Sequence, residues 1–233
     1  MTPLLPLITP KNANLMKKLD VMLAEKMLGI DAVKFQPTAP FLWGTGWYSP
    51  IYIDNLAALS NTQVRNFVKT ELSSLIIEQF GDADVIAAVA TGAIAHGVLV
   101  ADNLGLPFVY VRPRPKDHGL ENQIEGGLKP GAKAVILEST VYTGANSARA
   151  AHAIEDAGGQ VLGMVSMFNY DFQMAAKTLK KARLRSVSVG NFETLMRVAQ
   201  AKGGLSDADM ALLAEWHSDP EGWASANQGQ IVD

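Results

Sequence analysis

From residue 84 onward the chain alternates short apolar runs with helix-forming stretches, and this rhythm constrains the fold more than any other feature. The runs at 84–90, 107–112, 133–138 and 160–168 are apolar without a two-residue alternation, the pattern of strands covered on both faces. The segments between them predict helices ending near Leu104 and Ala157. Together they predict an α/β fold, a doubly wound, mainly parallel sheet flanked by helices, with ligands expected at the carboxyl ends of the strands.

Upstream, prolines at 3, 6 and 10 make the first dozen residues read as an irregular arm, followed by a helix over 14–28 through Leu15, Leu19, Met22 and Leu23. Residues 35–55 are rich in Pro, Gly and aromatics, and 49–55 reads as a short strand ending in polar groups. Residues 62–80 place Val64, Phe67, Val68, Leu72, Leu75 and Ile76 on one helical face. Near the end, Ser206-x-x-Asp209 has the form of a capping box for a helix ending near Asp219-Pro220.

Composition excludes several classes. At 48% hydrophobic and 18% charged, the 233 residues carry enough apolar material for a core and lie outside the disordered regime. A net charge of −3 supplies no general attraction to nucleic acid or anionic membrane, so any phosphate site must be local. No apolar run reaches the ~18 residues of a membrane span, and no basic-then-apolar leader opens the chain. With no cysteine, disulfides and thiolate chemistry are absent, which fits a reducing compartment; cytoplasm is the default expectation.

Three loops carry candidate chemistry. The first runs from a buried strand through Glu138, Ser139, Thr140, Val141, Tyr142, Thr143, Gly144, Ala145, Asn146 and Ser147 into a helix. Backbone N–H groups and hydroxyls at a helix start suit a phosphate monoester, with Glu138 placed for ribose hydroxyls. The same stretch also reads as an ordinary turn capped by Thr143 or Ser147. The second, Thr91-Gly92-Ala93 before His96, is a strand–turn–helix that suits a diphosphate, His96 itself reading as a packed or surface residue. The third, Arg112-Pro113-Arg114-Pro115-Lys116-Asp117-His118-Gly119, reads either as a basic lid over anionic substrate or as a solvated surface loop. A nucleoside-triphosphatase loop and a dinucleotide fingerprint are both missing.

The lid stretch through Asn122-Gln123-Ile124-Glu125-Gly126, the segment Gly46-Trp47-Tyr48-Ser49-Pro50-Ile51-Tyr52-Ile53-Asp54-Asn55, and the Glu138 to Gly144 loop occur in an order that resembles the orotate phosphoribosyltransferases, of the type I phosphoribosyltransferase family. The resemblance runs from about Phe41 to Phe172, and the stretch from Glu215-Trp216 to Trp223 is also similar. It implies one phosphoribosyltransferase-like domain over 1–233: an arm and small N-terminal hood region in 1–60, a core sheet in 84–190 and C-terminal helices in 191–233.

The implied reaction transfers ribose 5-phosphate from phosphoribosyl diphosphate to orotate, giving orotidine 5′-monophosphate and diphosphate in pyrimidine biosynthesis. The resemblance assigns Thr143, Gly144, Asn146 and Ser147 to the 5-phosphate, Glu138 to the ribose hydroxyls, and Thr91, Gly92 and Arg114 to phosphoribosyl diphosphate more widely. It assigns Lys116, Arg112 and His118 to the departing diphosphate, with Lys116 leading, and Tyr52 and Ile53 to the orotate ring. It further implies Mg²⁺ carried with the substrate, no metal ligand supplied by the protein alone, and a homodimer; neither nucleic acid nor membrane is an expected partner. Several positions depart from the family pattern: Ser139 replaces a second acid, Leu56 a common arginine and Pro113 an often basic lid residue, Gly44 stands where some members have a lysine, and Tyr142, Ala145 and Asn146 stand where small, glycine- or hydroxyl-rich residues are expected. Two readings therefore stand, a working orotate phosphoribosyltransferase or a paralogue that binds phosphoribosyl diphosphate or a nucleotide with another base specificity or without turnover.

Overall fold

A computed structural model describes residues 10–44, 46–115 and 122–227. Helix α1 spans Pro10–Gly29, so the expected irregular arm gives way to helix at Pro10. Proline is tolerated there because a first-turn N–H has no intrahelical partner to lose. Asp20, Leu23, Ala24 and Met27 are buried along one face, the spacing of a helix packed on its neighbours.

Four short strands follow: β1 (Val33–Phe35), β2 (Phe41–Leu42), β3 (Tyr48–Ser49) and β4 (Ile51–Ile53). They form two antiparallel ribbons, β1 with β4 and β2 with β3. The single strand expected over 49–55 is thus split at Pro50, which lacks a ladder N–H and sends the two halves to different partners. Asp54 caps a 3-10 turn, Asn55–Ser60, through its Oδ1, and Asn61 caps α2 (Thr62–Phe80). The predicted apolar face of α2 is buried at Val64, Val68, Leu72, Leu75 and Ile76, with Phe67 packed at its edge.

The core then winds through β5 (Val85–Val89), α3 (Ile94–Leu104), β6 (Phe108–Val111), β7 (Ile124–Glu125), β8 (Lys133–Val141), α4 (Ala145–Asp156), β9 (Gln160–Asn169), α5 (Gln173–Lys181), β10 (Ser186–Asn191) and α6 (Phe192–Ala201). The sheet order is β10-β9-β8-β5-β6-β7, parallel except for β7 at the edge. This is the doubly wound, mainly parallel sheet expected from the apolar runs. Side chains of β5 and of β8 from Ala134 to Ser139 are buried, as a strand covered on both faces requires. Phe80 lies against Gly163 of β9 so closely that a Cβ at 163 would come 2.3 Å from the ring.

From β5 the chain turns to β6 on one side, and from β8 to β9 and β10 on the other. The direction of winding therefore reverses between β5 and β8, which opens a crevice at their carboxyl ends. Two C-terminal helices, α7 (Asp207–Ser218) and α8 (Pro220–Asn227), complete the described chain, and Ser206 with Asp209 forms the predicted capping box. Trp216 of α7 is fully buried and meets Trp43 edge-on at 5.5 Å, which fastens the loop between β2 and β3 to the C-terminal helices. No described helix is long and apolar enough to cross a membrane.

Candidate active site

Two loops leave the crevice. After β5, Thr91 and Gly92 lead into α3, and after β8, Tyr142 and Thr143 lead into α4. Neither N-cap residue offers a capping side chain: α3 starts from Ala93 and α4 from Gly144, which adopts a left-handed φ of +75°, while the Thr143 hydroxyl accepts from the Ala145 N–H at 3.3 Å. A β-carbon at 144 would also press on Leu179 at 3.1 Å, so the turn favours glycine twice over. Helix starts without side-chain caps present N–H groups and partial positive charge to an anion.

Beside the start of α4 lies a cavity of about 460 Å³ lined by Trp43, Gly44, Tyr52, Glu138, Thr140, Tyr142, Thr143, Gly144, Asn146, Ser147 and Arg149, among others. Glu138 is buried, its Oε1 accepting from the Ser139 N–H at 3.1 Å and its Oε2 from the Ser147 hydroxyl at 3.1 Å. Burial pushes the carboxyl up to about 7, although both hydrogen bonds pull the other way. Tyr142 and Trp43 meet at 4.6 Å between centroids, and Tyr142 stacks on the buried Tyr170 at 5.1 Å. Burial raises the Tyr142 hydroxyl to about 12, so it stays a neutral donor at any physiological pH.

The geometry suits a phosphorylated sugar. An anion fits at the α4 start, a carboxylate 3.1 Å from Ser147 stands ready for hydroxyls, and an aromatic wall faces the remaining space. No protein-family model matches the chain. The orotate phosphoribosyltransferase of Bacteroides thetaiotaomicron is 50% identical over 208 residues, covering 89% of this chain and 98% of that protein. The chain belongs to the orotate phosphoribosyltransferase family. The Porphyromonas gingivalis relative of the same name is 48% identical over 208 residues, 89% of this chain and 99% of that one. A solved orotate phosphoribosyltransferase from Aeropyrum pernix shares the fold, with a TM-score of 0.69 and 24% identity over 79% of this chain and 100% of that one.

Several of the residues to which the resemblance assigned roles come together at the cavity: Glu138, Thr143, Gly144, Asn146, Ser147 and Tyr52 line it. Thr91 and Gly92 sit on the neighbouring loop, Gly92 facing Ser139, where a Cβ would lie 3.6 Å from the serine Cβ. Ile53 does not join Tyr52. Adjacent strand residues point to opposite faces, and Ile53 is buried opposite Val33 while Tyr52 is 40% exposed. Arg112 is half-buried at the end of β6 and Arg114 is exposed beyond it, whereas Lys116 and His118 lie outside the described residues.

His96 is packed, as expected, and not part of the cavity wall. Gly44 lines the cavity, and a Cβ added there would meet nothing within 4 Å among the described residues. The sequence reading overlooked Arg149, whose guanidinium bonds the Asn146 side chain three residues earlier and brings a cation to the cavity. Helical spacing from Asn146 was the available signal. Asn55 closes one of the segments that carry the resemblance, but its long-range partners have no short-range signal.

Proposed function

We propose that this protein transfers the ribose 5-phosphate of phosphoribosyl diphosphate to orotate, forming orotidine 5′-monophosphate and releasing diphosphate. The observation that carries the reading is the meeting of the α3 and α4 starts with the Glu138 carboxylate at the crevice between β5 and β8, in a chain of this family. Thr143, Gly144, Asn146 and Ser147 would receive the 5-phosphate on backbone amides and hydroxyls, assisted by the Arg149 charge. Glu138 would accept from the ribose hydroxyls, and Thr91 with Gly92 would cradle the diphosphate. The base would lie against Tyr52, with Trp43 and Tyr142 completing an aromatic enclosure.

Cleavage of the anomeric C–O bond develops positive charge on the sugar and negative charge on the leaving diphosphate. Arg112 and Arg114, with Lys116 and His118 from the adjoining segment, would neutralise the diphosphate. Excluding water from the site strengthens each of those interactions. A single strand-end carboxylate, Glu138, beside the Ser139 hydroxyl fits a magnesium ion that takes most of its ligands from substrate oxygens and water. When bound, such an ion supplies further neutralisation of the diphosphate. A cytoplasmic homodimer completes the reading, and exposed Leu42 and Leu56 offer apolar surface to a second copy.

Ser139 favours one competing reading, a protein that binds phosphoribosyl diphosphate without turnover. The deciding experiment is a steady-state assay of orotate consumption with phosphoribosyl diphosphate and Mg²⁺, run beside Lys116→Ala. Product that depends on Lys116 supports the enzyme; bound phosphoribosyl diphosphate with no product supports the binder.

A further inference from the structure

Asn55 is 4% exposed and opens the 3-10 turn that follows β4. Its Nδ2 donates to the Ser139 carbonyl at 3.1 Å and also to the Thr140 hydroxyl. Its backbone carbonyl accepts from His96 Nε2 at 3.4 Å. Because a carbonyl only accepts, Nε2 must carry the proton, and burial holds His96 neutral by pushing its pKa down. The Asn55 Oδ1 and His96 Nδ1 are both buried acceptors without a partner among the described residues.

One residue thus bridges three elements that are far apart in sequence. It is covalently continuous with Tyr52, it bonds the end of β8 next to Glu138, and it bonds α3 in the turn that follows Gly92. The side chain must give two hydrogens from one nitrogen, to a carbonyl and to a hydroxyl. Aspartate has the same shape and gives none, and alanine does not reach.

We propose that Asn55 is a positioning residue that holds the diphosphate loop and the ribose-binding strand end at a fixed separation, so that one ligand can engage both. The inference rests on the phosphoribosyl diphosphate reading of the site. A ligand spanning two subsites gains affinity from their alignment, whereas each half of that ligand feels only its own subsite. Misalignment therefore weakens the whole ligand and spares the halves.

The test is calorimetric titration of the wild type, Asn55→Ala and Asn55→Asp with phosphoribosyl diphosphate, ribose 5-phosphate and inorganic diphosphate, with thermal melting as the check on folding. Thr140→Val, which removes one arm of the fork at a half-buried position, serves if the Asn55 variants do not fold. The expected result is roughly tenfold weaker binding of phosphoribosyl diphosphate, smaller for Thr140→Val, with the two half-ligands within about twofold of wild type. Unchanged phosphoribosyl diphosphate binding, or a parallel loss for all three ligands, overturns the proposal. So does a wild type that binds no phosphoribosyl diphosphate. A wild type that binds it but makes no orotidine 5′-monophosphate sinks the catalytic reading alone, since the titrations require no turnover.

Discussion

The Ser147 hydroxyl donates to the Glu138 carboxylate across 3.1 Å, tying the first turn of α4 to the end of β8 inside the cavity wall. The bond opposes the burial that raises this carboxyl to about 7. Removing a donor from a carboxylate raises its pKa further, so Ser147→Ala should shift the acid limb of the pH profile of kcat/KM for phosphoribosyl diphosphate to higher pH. An acid limb that stays in place would show that Glu138 ionisation does not govern activity.

Ser139 is buried next to Glu138, with Gly92 across from it. Ser139→Asp would add a second carboxylate, and two neighbouring acids resist ionising together. Turnover should rise at pH 8 and gain less at pH 6, measured as kcat for orotate consumption. An unchanged or lower rate at pH 8 would mean the site does not want for charge here.

Asp20 is 8% exposed on α1, and its Oδ2 accepts from the Asn191 side chain at 2.8 Å. Burial raises it from 3.8 to about 6, so the folded chain holds this proton more tightly than the unfolded one. Stability from this group is therefore lost as pH rises from about 4 through 6. Asp20→Asn keeps an acceptor for Asn191 and should exceed the wild type by about 1–2 kcal/mol at pH 8, with the advantage gone at pH 4. Urea denaturation at both pH values measures this, and a gap independent of pH would refute the assignment.

At Gly163 an added methyl would meet Phe80 at 2.3 Å and 2.5 Å and the Arg185 carbonyl at 3.0 Å. Phe80 is itself buried and carries Arg185 over its ring at 5.2 Å, which limits its retreat. Gly163→Ala should lower stability by about 1–3 kcal/mol through overpacking while phosphoribosyl diphosphate affinity of the folded protein is retained. A denaturation midpoint equal to wild type would contradict the tight contact.

What the sequence made legible was whatever rests on local pattern. Unalternating apolar runs marked β5, β8 and β9, and the α2 stripe and the Ser206–Asp209 box had periodic or capping signals. β10 carried no such signal: its serines look solvent-bound, yet Ser188 pairs with Ser166 at 2.6 Å across the sheet. Asn191 both ends the strand and caps α6 through its side chain, a local signal at the division between core sheet and C-terminal helices that the resemblance implied. Tyr52 and Ile53 show a signal that was present and unused, since strand alternation already separates neighbours. Asn55 shows the opposite case, as its partners lie 84 and 85 residues away and only tertiary structure joins them.

The edge hairpin has a consequence for how this chain can change. Arg112 and Gln123 clasp each other, N–H to carbonyl at 2.8 Å and side chain to carbonyl at 3.3 Å, directly above the Val111 and Ile124 pair. With both feet pinned to the sheet, a flexible connection would pay only about 0.6 kcal/mol of closure entropy per doubling of its length. The clasp therefore holds the register of β6 and β7 at the two described ends of this connection, whatever the sequence between them.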